Sequence, residues 1–203
     1  MRAGARVAAG LVVLAATGGC VKAEKEAAMT DLTGKRVLLV VASRNFRDEE
    51  FAEPWDLLRK NGAEVTVASS SLQPAQGMLG RVVKPDILVS ASRAADYDGV
   101  VFVGGPGARE YFDDASAHTL ARQAAQDGKV LGAICIAPAI LANAGVLRGR
   151  QAVVFPGLEN VLKAGGATLG TGAVAEDRRI ITATGPEAAA AFARALARAL
   201  TGP

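Results

Sequence analysis

The stretch GAICIAPAIL, residues 132–141, sets Cys135 between a short apolar run and a segment that opens with proline. A thiol at a strand-to-helix turn faces the free N–H groups of the helix start. Those groups favour thiolate over thiol, and thiolate is the nucleophile. Pro138 suits the first turn of such a helix, while Gly132, Ala133 and Ala137 keep the turn slim, as an exposed nucleophile requires. The bland account is an inert buried thiol, the commoner fate of a free cysteine, and position alone leaves the two open. Two other clusters follow apolar runs. GGPGARE, from Gly104, has no Gly-Lys-Ser/Thr after it, and Glu110 stands where a dinucleotide loop needs its third glycine. It remains either a loop that lends a backbone N–H to an oxyanion or an ordinary turn. Asp48, Glu49 and Glu50 sit at a predicted helix start, where the dipole alone favours acids. A carboxyl facing Cys135 would have to be protonated, or the pair would repel.

Other chemistries find little support. His118 is the only histidine, so a zinc site of the usual kind is excluded, and no CxxC replaces it. A Ser-His-Asp hydrolase would need His118, yet GxSxG is absent, and His118 reads as a surface residue near a helix start. No metal or other cofactor is expected.

These residues need elements to position them. RVLLVVAS is a strand-length apolar run, and FAEPWDLLRKNG after it carries helical spacing at Phe51, Trp55 and Leu58 before an Asn-Gly stop. AEVTVAS, YDGVVFVGG and KVLGAIC predict three more strands. GMLGRVVKPDILVS and GAVAEDRRIITAT predict hairpins or excursions, and QAVVF a further strand. ASAHTLARQAAQDG, IAPAILANAGVL and PEAAAAFARALARALTG predict helices. Buried strands alternating with amphipathic helices imply an α/β fold, a mostly parallel sheet with helices on both faces. The working site of such a sheet lies beyond the carboxyl ends of its strands, which is where Cys135, Gly104-Gly105 and the acidic cluster fall.

The chain has 203 residues, 50% of them apolar and 4% aromatic, enough for one domain with a Val, Leu, Ile and Ala core. Its formal charge of +3 drops to +1 once Arg2 and Arg6 are set aside, so no nucleic-acid footprint is present. Both arginines lie in MRAGARVAAGLVVLAATGGC, residues 1–20, which has a positive start, an apolar stretch and small residues before a cysteine. It reads as an export signal ending in a lipobox. Cys20 would then carry lipid and hold an exported protein on the periplasmic face of a membrane. The alternative is initiation at Met29 and a cytoplasmic protein. Residues 21–34 read as a tether and 35–203 as the domain. With Cys20 lipidated, Cys135 has no disulfide partner.

Three stretches, in order, carry a resemblance: Phe46-x-Asp48-x-Glu50-x-x-x-Pro54 followed by GAEVTVAS, then YDGVVFVGGPGA, then AICIAPAILANAGVLRGR. Together they resemble the ThiJ/PfpI superfamily over roughly residues 35–202. The resemblance implies a flavodoxin-like three-layer sandwich with a nucleophile elbow, related to class I glutamine amidotransferases and often homodimeric or larger. It implies that Cys135 is the reactive elbow cysteine, that Glu50 hydrogen-bonds to its thiol, and that the N–H groups of Gly105 and Ile136 flank an oxyanion. It also exposes departures. The protease-like branch has histidine directly after the cysteine, where this chain has Ile136, and the deglycase branch has one near VVFPG, where this chain has Phe155. Without either base a Cys-His peptidase mechanism is disfavoured. The reading that results is cysteine chemistry on small carbonyl electrophiles, of glyoxalase or deglycase type, with Glu50 protonated and donating to a thiolate. The alternatives are a non-enzymatic redox sensor or chaperone-like holdase, and a cysteine peptidase or amidase.

Overall fold

A computed structural model describes Met1 and residues 30–202. Cys20, the apolar stretch before it and most of the expected tether lie outside the described residues. Leu32, at the tether's end, is fully buried, and its N–H donates to the Asn61 carbonyl at 2.8 Å.

The elements run β1 (Arg36–Val40), β2 (Arg44–Phe46), α1 (Asp48–Lys60), β3 (Glu64–Ser69), β4 (Ala75–Gly77), β5 (Val82–Val83) and β6 (Ile87–Leu88). They continue through β7 (Gly99–Phe102), α2 (Ala115–Gln126), β8 (Val130–Ile134), α3 (Pro138–Asn143), β9 (Gln151–Ala152) and α4 (Glu159–Ala164). The chain ends with β10 (Thr168–Leu169), β11 (Val174–Asp177), β12 (Ile180–Ala183) and α5 (Ala189–Thr201). Seven strands form the central sheet in the order β11-β12-β8-β7-β1-β3-β6. Every pairing in it is parallel except β11 with β12. The four middle strands β1, β7, β8 and β12 are buried almost throughout, which is why they read as unbroken apolar runs rather than alternating ones.

Helices cover both faces of this sheet. α1 and α5 pack against each other, and α2, α3 and α4 form the second group. α5 presents Phe192, Ala193, Leu196 and Leu200 to the core from an alanine-rich sequence whose arginines stay on the outer side. The α/β sandwich expected from the alternation is thus present. The hairpin expected near the C-terminus forms from β11 and β12, while residues 77–90 supply β5, which pairs back to β4, and β6, which joins the main sheet beside β3. QAVVF contributes only Gln151–Ala152, paired with β10 in a separate two-stranded ribbon. The helix expected over 136–147 is shorter, six residues from Pro138, because Gly145 at φ 79° ends it.

Candidate functional site

β8 delivers Cys135. Its last strand residue is Ile134, and the next residue turns sharply, with Cys135 at φ 62°. That left-handed conformation is strained for a side chain with a Cβ, by about 1–2 kcal/mol, and must be imposed by its surroundings. Two hydrogen bonds impose it: the Cys135 N–H donates to the Ala183 carbonyl at 2.9 Å, and the Cys135 carbonyl accepts from Phe155 N–H at 2.8 Å. The end of β12 and the 153–157 loop therefore grip the turn from both sides.

α1 delivers Glu50, in its first turn and with no solvent exposure. No cation forms an ion pair with its carboxyl among the described residues; its neighbours are the Cys135 thiol and the Gly104 N–H. Burial pushes the carboxyl up to about 7, outweighing the Cys135 thiol, the Arg47 charge and the Gly104 N–H, which pull the other way. The three acids of the cluster separate in role. Glu49 pairs with Arg47, at 2.8 Å from Nε and 3.0 Å from Nη2. Asp48 turns to the β4–β5 hairpin, accepting the N–H of Leu79 at 2.8 Å and of Arg81 at 2.7 Å. Only Glu50 faces the thiol.

The loop after β7 closes the third side. A Cβ on Gly104 would collide with Glu50 Oε2, with Cys135 Cβ and with the Ile134 carbonyl, so the acid and the thiol meet only because this position has no side chain. Gly105, at φ 94°, leaves room for the backbone of Asn45, Phe46 and Arg47 and aims its N–H toward the thiol. The N–H of Ile136 approaches from the other side. Cys135, Glu50, Gly105 and Ile136 thus converge on one place.

The electrostatics there differ from the expectation of a thiolate. Burial, followed by the Glu50 charge, pushes the thiol up to about 12, and the N–H groups of Gly105 and Ile136 only moderate this. α3 is too short, and the site too dry, for its terminus to reverse the cost of desolvation. Burial thus makes both Glu50 and Cys135 hold their protons more tightly than they would in water.

A cavity of about 400 Å³ opens over the pair. Met78, Phe155 and Leu158 supply apolar walls, Pro186 comes from the turn after β12, and Arg47 and Arg109 stand in the lining. Arg47, Met78 and Arg109 were not among the residues singled out in the sequence. They come from three loops whose meeting no local pattern reports. Ile136 and Phe155, at the positions where a base was sought, both line the cavity, and neither can accept a proton. His118 is half-buried on α2, its Nε2 2.8 Å from the Phe112 carbonyl, and is not in the cavity lining. Among the described residues no group of three or more His, Cys, Asp or Glu could hold a metal ion.

Comparison with known proteins gives the relationship. The model of the DJ-1/PfpI family matches residues 35–199. The chain is 32% identical over 123 residues to a deglycase of Pyrococcus horikoshii, covering 61% of this chain and 74% of that one. It is 26% identical to a glutathione-independent glyoxalase of Caenorhabditis elegans, over 83% of this chain and 90% of the other. The crystal structure of a ThiJ/PfpI domain protein from Brachyspira murdochii superposes with a TM-score of 0.79 at 32% identity, over 81% of this chain and 95% of that one.

These findings correct the expected location. An exported lipoprotein held on a membrane through Cys20 has no counterpart in the names of these relatives, which are DJ-1-type proteins. Among the described residues no helix is long and apolar enough to cross a membrane. Small apolar residues followed by cysteine are too generic a pattern to outweigh the relatives. With the sheet order, the strained turn at Cys135 and a family match over residues 35–199 in agreement, the chain belongs to the DJ-1/PfpI family.

Proposed function

We propose that the protein is a cysteine-dependent enzyme acting on small carbonyl electrophiles, of glyoxalase or deglycase type. The observation that carries this reading is Glu50, a carboxyl with no exposure and no ion-pair partner among the described residues, set against the thiol of Cys135 in the lining of one cavity. A buried carboxyl without a cation beside it costs stability, and a group of that kind in a cleft fits a proton carrier better than a structural one. Its pKa near 7 suits taking and returning a proton at neutral pH. Relatives named deglycase and glyoxalase support the same class of reaction.

In this reading Cys135 Sγ attacks the aldehyde carbon of a 2-oxoaldehyde while its proton passes to the Glu50 carboxylate. The C=O bond opens to an oxyanion facing the N–H groups of Gly105 and Ile136. Glu50 returns a proton as hydrogen moves from the first carbon to the second, giving a thioester. Water then cleaves that thioester and restores the thiol. The net change is addition of one water, with no external oxidant or reductant. Peptide hydrolysis is disfavoured because Ile136 and Phe155 cannot protonate a leaving amine. The protein also works as a homo-oligomer in this proposal, an assembly supported by the exposed apolar side chains of Leu72, Met78, Leu79 and Val82 around the β4–β5 hairpin.

The test is conversion of methylglyoxal to lactate without glutathione, with Cys135→Ser as control. Cys135-dependent lactate formation is expected, and lactate formation that survives Cys135→Ser, or none at all, would overturn the reading. Light scattering of wild type beside Leu79→Lys reads the assembly, which should weaken in the variant.

A further inference from the structure

The two arginines of the cavity lining are not equivalent. Arg47 is paired with Glu49, its Nη1 is 3.7 Å from Met78 Sδ, and the carboxyl groups of Glu50 and Glu187 add to the negative field around it. Its charge is matched before any ligand arrives. Arg109 is different. It is exposed on the turn Pro106–Tyr111, and among the described residues no carboxylate lies within ion-pair distance of it and no acceptor takes a hydrogen bond from its guanidinium. Its neighbour Glu110 is committed elsewhere, accepting from Ser43 N–H at 3.0 Å, Ser43 Oγ at 3.1 Å and Ser70 Oγ at 2.9 Å. What Arg109 does touch is Phe112, with its guanidinium carbon 5.5 Å from the ring centroid. That contact restrains the side chain and leaves its donors free.

The lining thus offers a nucleophile at its floor, apolar walls and one unmatched, partly restrained guanidinium. We infer that the preferred ligand is a 2-oxoaldehyde that carries a carboxylate, its aldehyde at Cys135 and its carboxylate at Arg109. A planar guanidinium takes a carboxylate through two parallel hydrogen bonds, which fixes orientation as well as adding attraction. A neutral dicarbonyl gains only the apolar walls. The carboxylate goes to Arg109 and not to Arg47 because Glu49, Glu50 and Glu187 repel it from the latter. This inference rests on the reading of Cys135 as nucleophile and adds no step to that chemistry; Arg109 sets specificity.

The test separates the two ideas. Labelling of Cys135 by iodoacetate and by iodoacetamide, followed by peptide mass mapping of the full-length protein at mildly alkaline pH, compares an anion with a neutral reagent of nearly the same shape. The iodoacetate-to-iodoacetamide rate ratio is expected to fall about fivefold in Arg109→Gln, the upper end for a partly exposed charge pair. The ratio should be largely retained in Arg109→Lys and should shrink in wild type as salt rises. In parallel, the kcat/KM ratio of 4,5-dioxopentanoate over methylglyoxal should fall in Arg109→Gln. Equal ratios in wild type and Arg109→Gln overturn the anion site whatever the enzyme turns over. A preserved labelling effect without lactate formation from methylglyoxal overturns the proposed reaction and leaves the anion site standing. A Cys135 that neither reagent labels overturns both.

Discussion

Glu50 and Cys135 each lie in the wrong solvent for their charged forms, and their pKa values carry the consequence. Glu50 is raised from 4.5 to about 7 by burial, so the folded state holds its proton more tightly than the unfolded state does. Stability is therefore highest below about pH 4.5 for this group and declines as pH rises to about 7, by roughly 3 kcal/mol for a shift of that size. Glu50→Gln removes the slope. Denaturant unfolding at a series of pH values should show wild type losing stability across this window relative to the variant, and parallel curves would contradict a buried carboxyl with no ion-pair partner. Burial also raises the Cys135 thiol, and an ionised Glu50 beside it opposes the thiolate further. Glu50→Gln should accordingly shift the iodoacetamide rate profile of Cys135 to lower pH. A shift to higher pH would mean that a protonated Glu50 stabilises the thiolate, as the sequence alone suggested.

At the scale of elements, the turn of the β4–β5 hairpin is tied down by the Asp48 side chain beside the backbone pairing of β4 with β2. Asp48 accepts two hairpin N–H groups, and a Cβ on Gly77 would sit only 2.5 Å from Asp48 Oδ2, so the fit leaves no slack. Asp48→Ala strips both N–H groups of their acceptor at once. A loss on the order of 2–3 kcal/mol is expected. Faster amide exchange at Leu79 and Arg81, with the rest of the sheet unchanged, would show that the loss is local. Because Met78 directly precedes Leu79 and lines the cavity, the variant should also alter entry of ligands to Cys135. The elbow depends on its neighbours in a similar way: β8 supplies the position of Cys135, while Ala183 and the Phe155 N–H supply its direction.

For the whole molecule, the site is a by-product of how the layers close. α5 packs Phe192 and Leu196 against β8 at Gly132, where an added Cβ would lie 2.8 Å from Leu196 Cδ2 and 3.0 Å from Phe192 Cζ. This contact seats the strand that ends in Cys135. Phe192→Ala should cost about 3–5 kcal/mol, as for other fully buried aromatic residues, read as a lower denaturation midpoint. If the elbow hangs on β8 as described, labelling of Cys135 should accelerate in the same variant at denaturant concentrations well below global unfolding.

The sequence by itself determined the layered architecture, because parallel strands buried on both faces and helices with one apolar face write their periodicities directly into the chain. It also brought Cys135, the Asp48–Glu50 cluster and the Gly104-Gly105 loop forward, since a thiol after an apolar run, acids at a helix start and glycines at a turn are local signals, and the family resemblance singled out Glu50 and Ile136. The tertiary structure decided what those groups do to one another. Whether Cys135 is a thiolate depends on desolvation by residues distant in the chain, and a helix-start argument cannot weigh that term. Which of Asp48, Glu49 and Glu50 faces the thiol depends on the hairpin and on Arg47, which claim the other two. The choice of Arg109 over Arg47 as the unmatched charge depends on where Glu49, Glu110 and Glu187 fall, and side-chain pairing across loops leaves no period in a sequence.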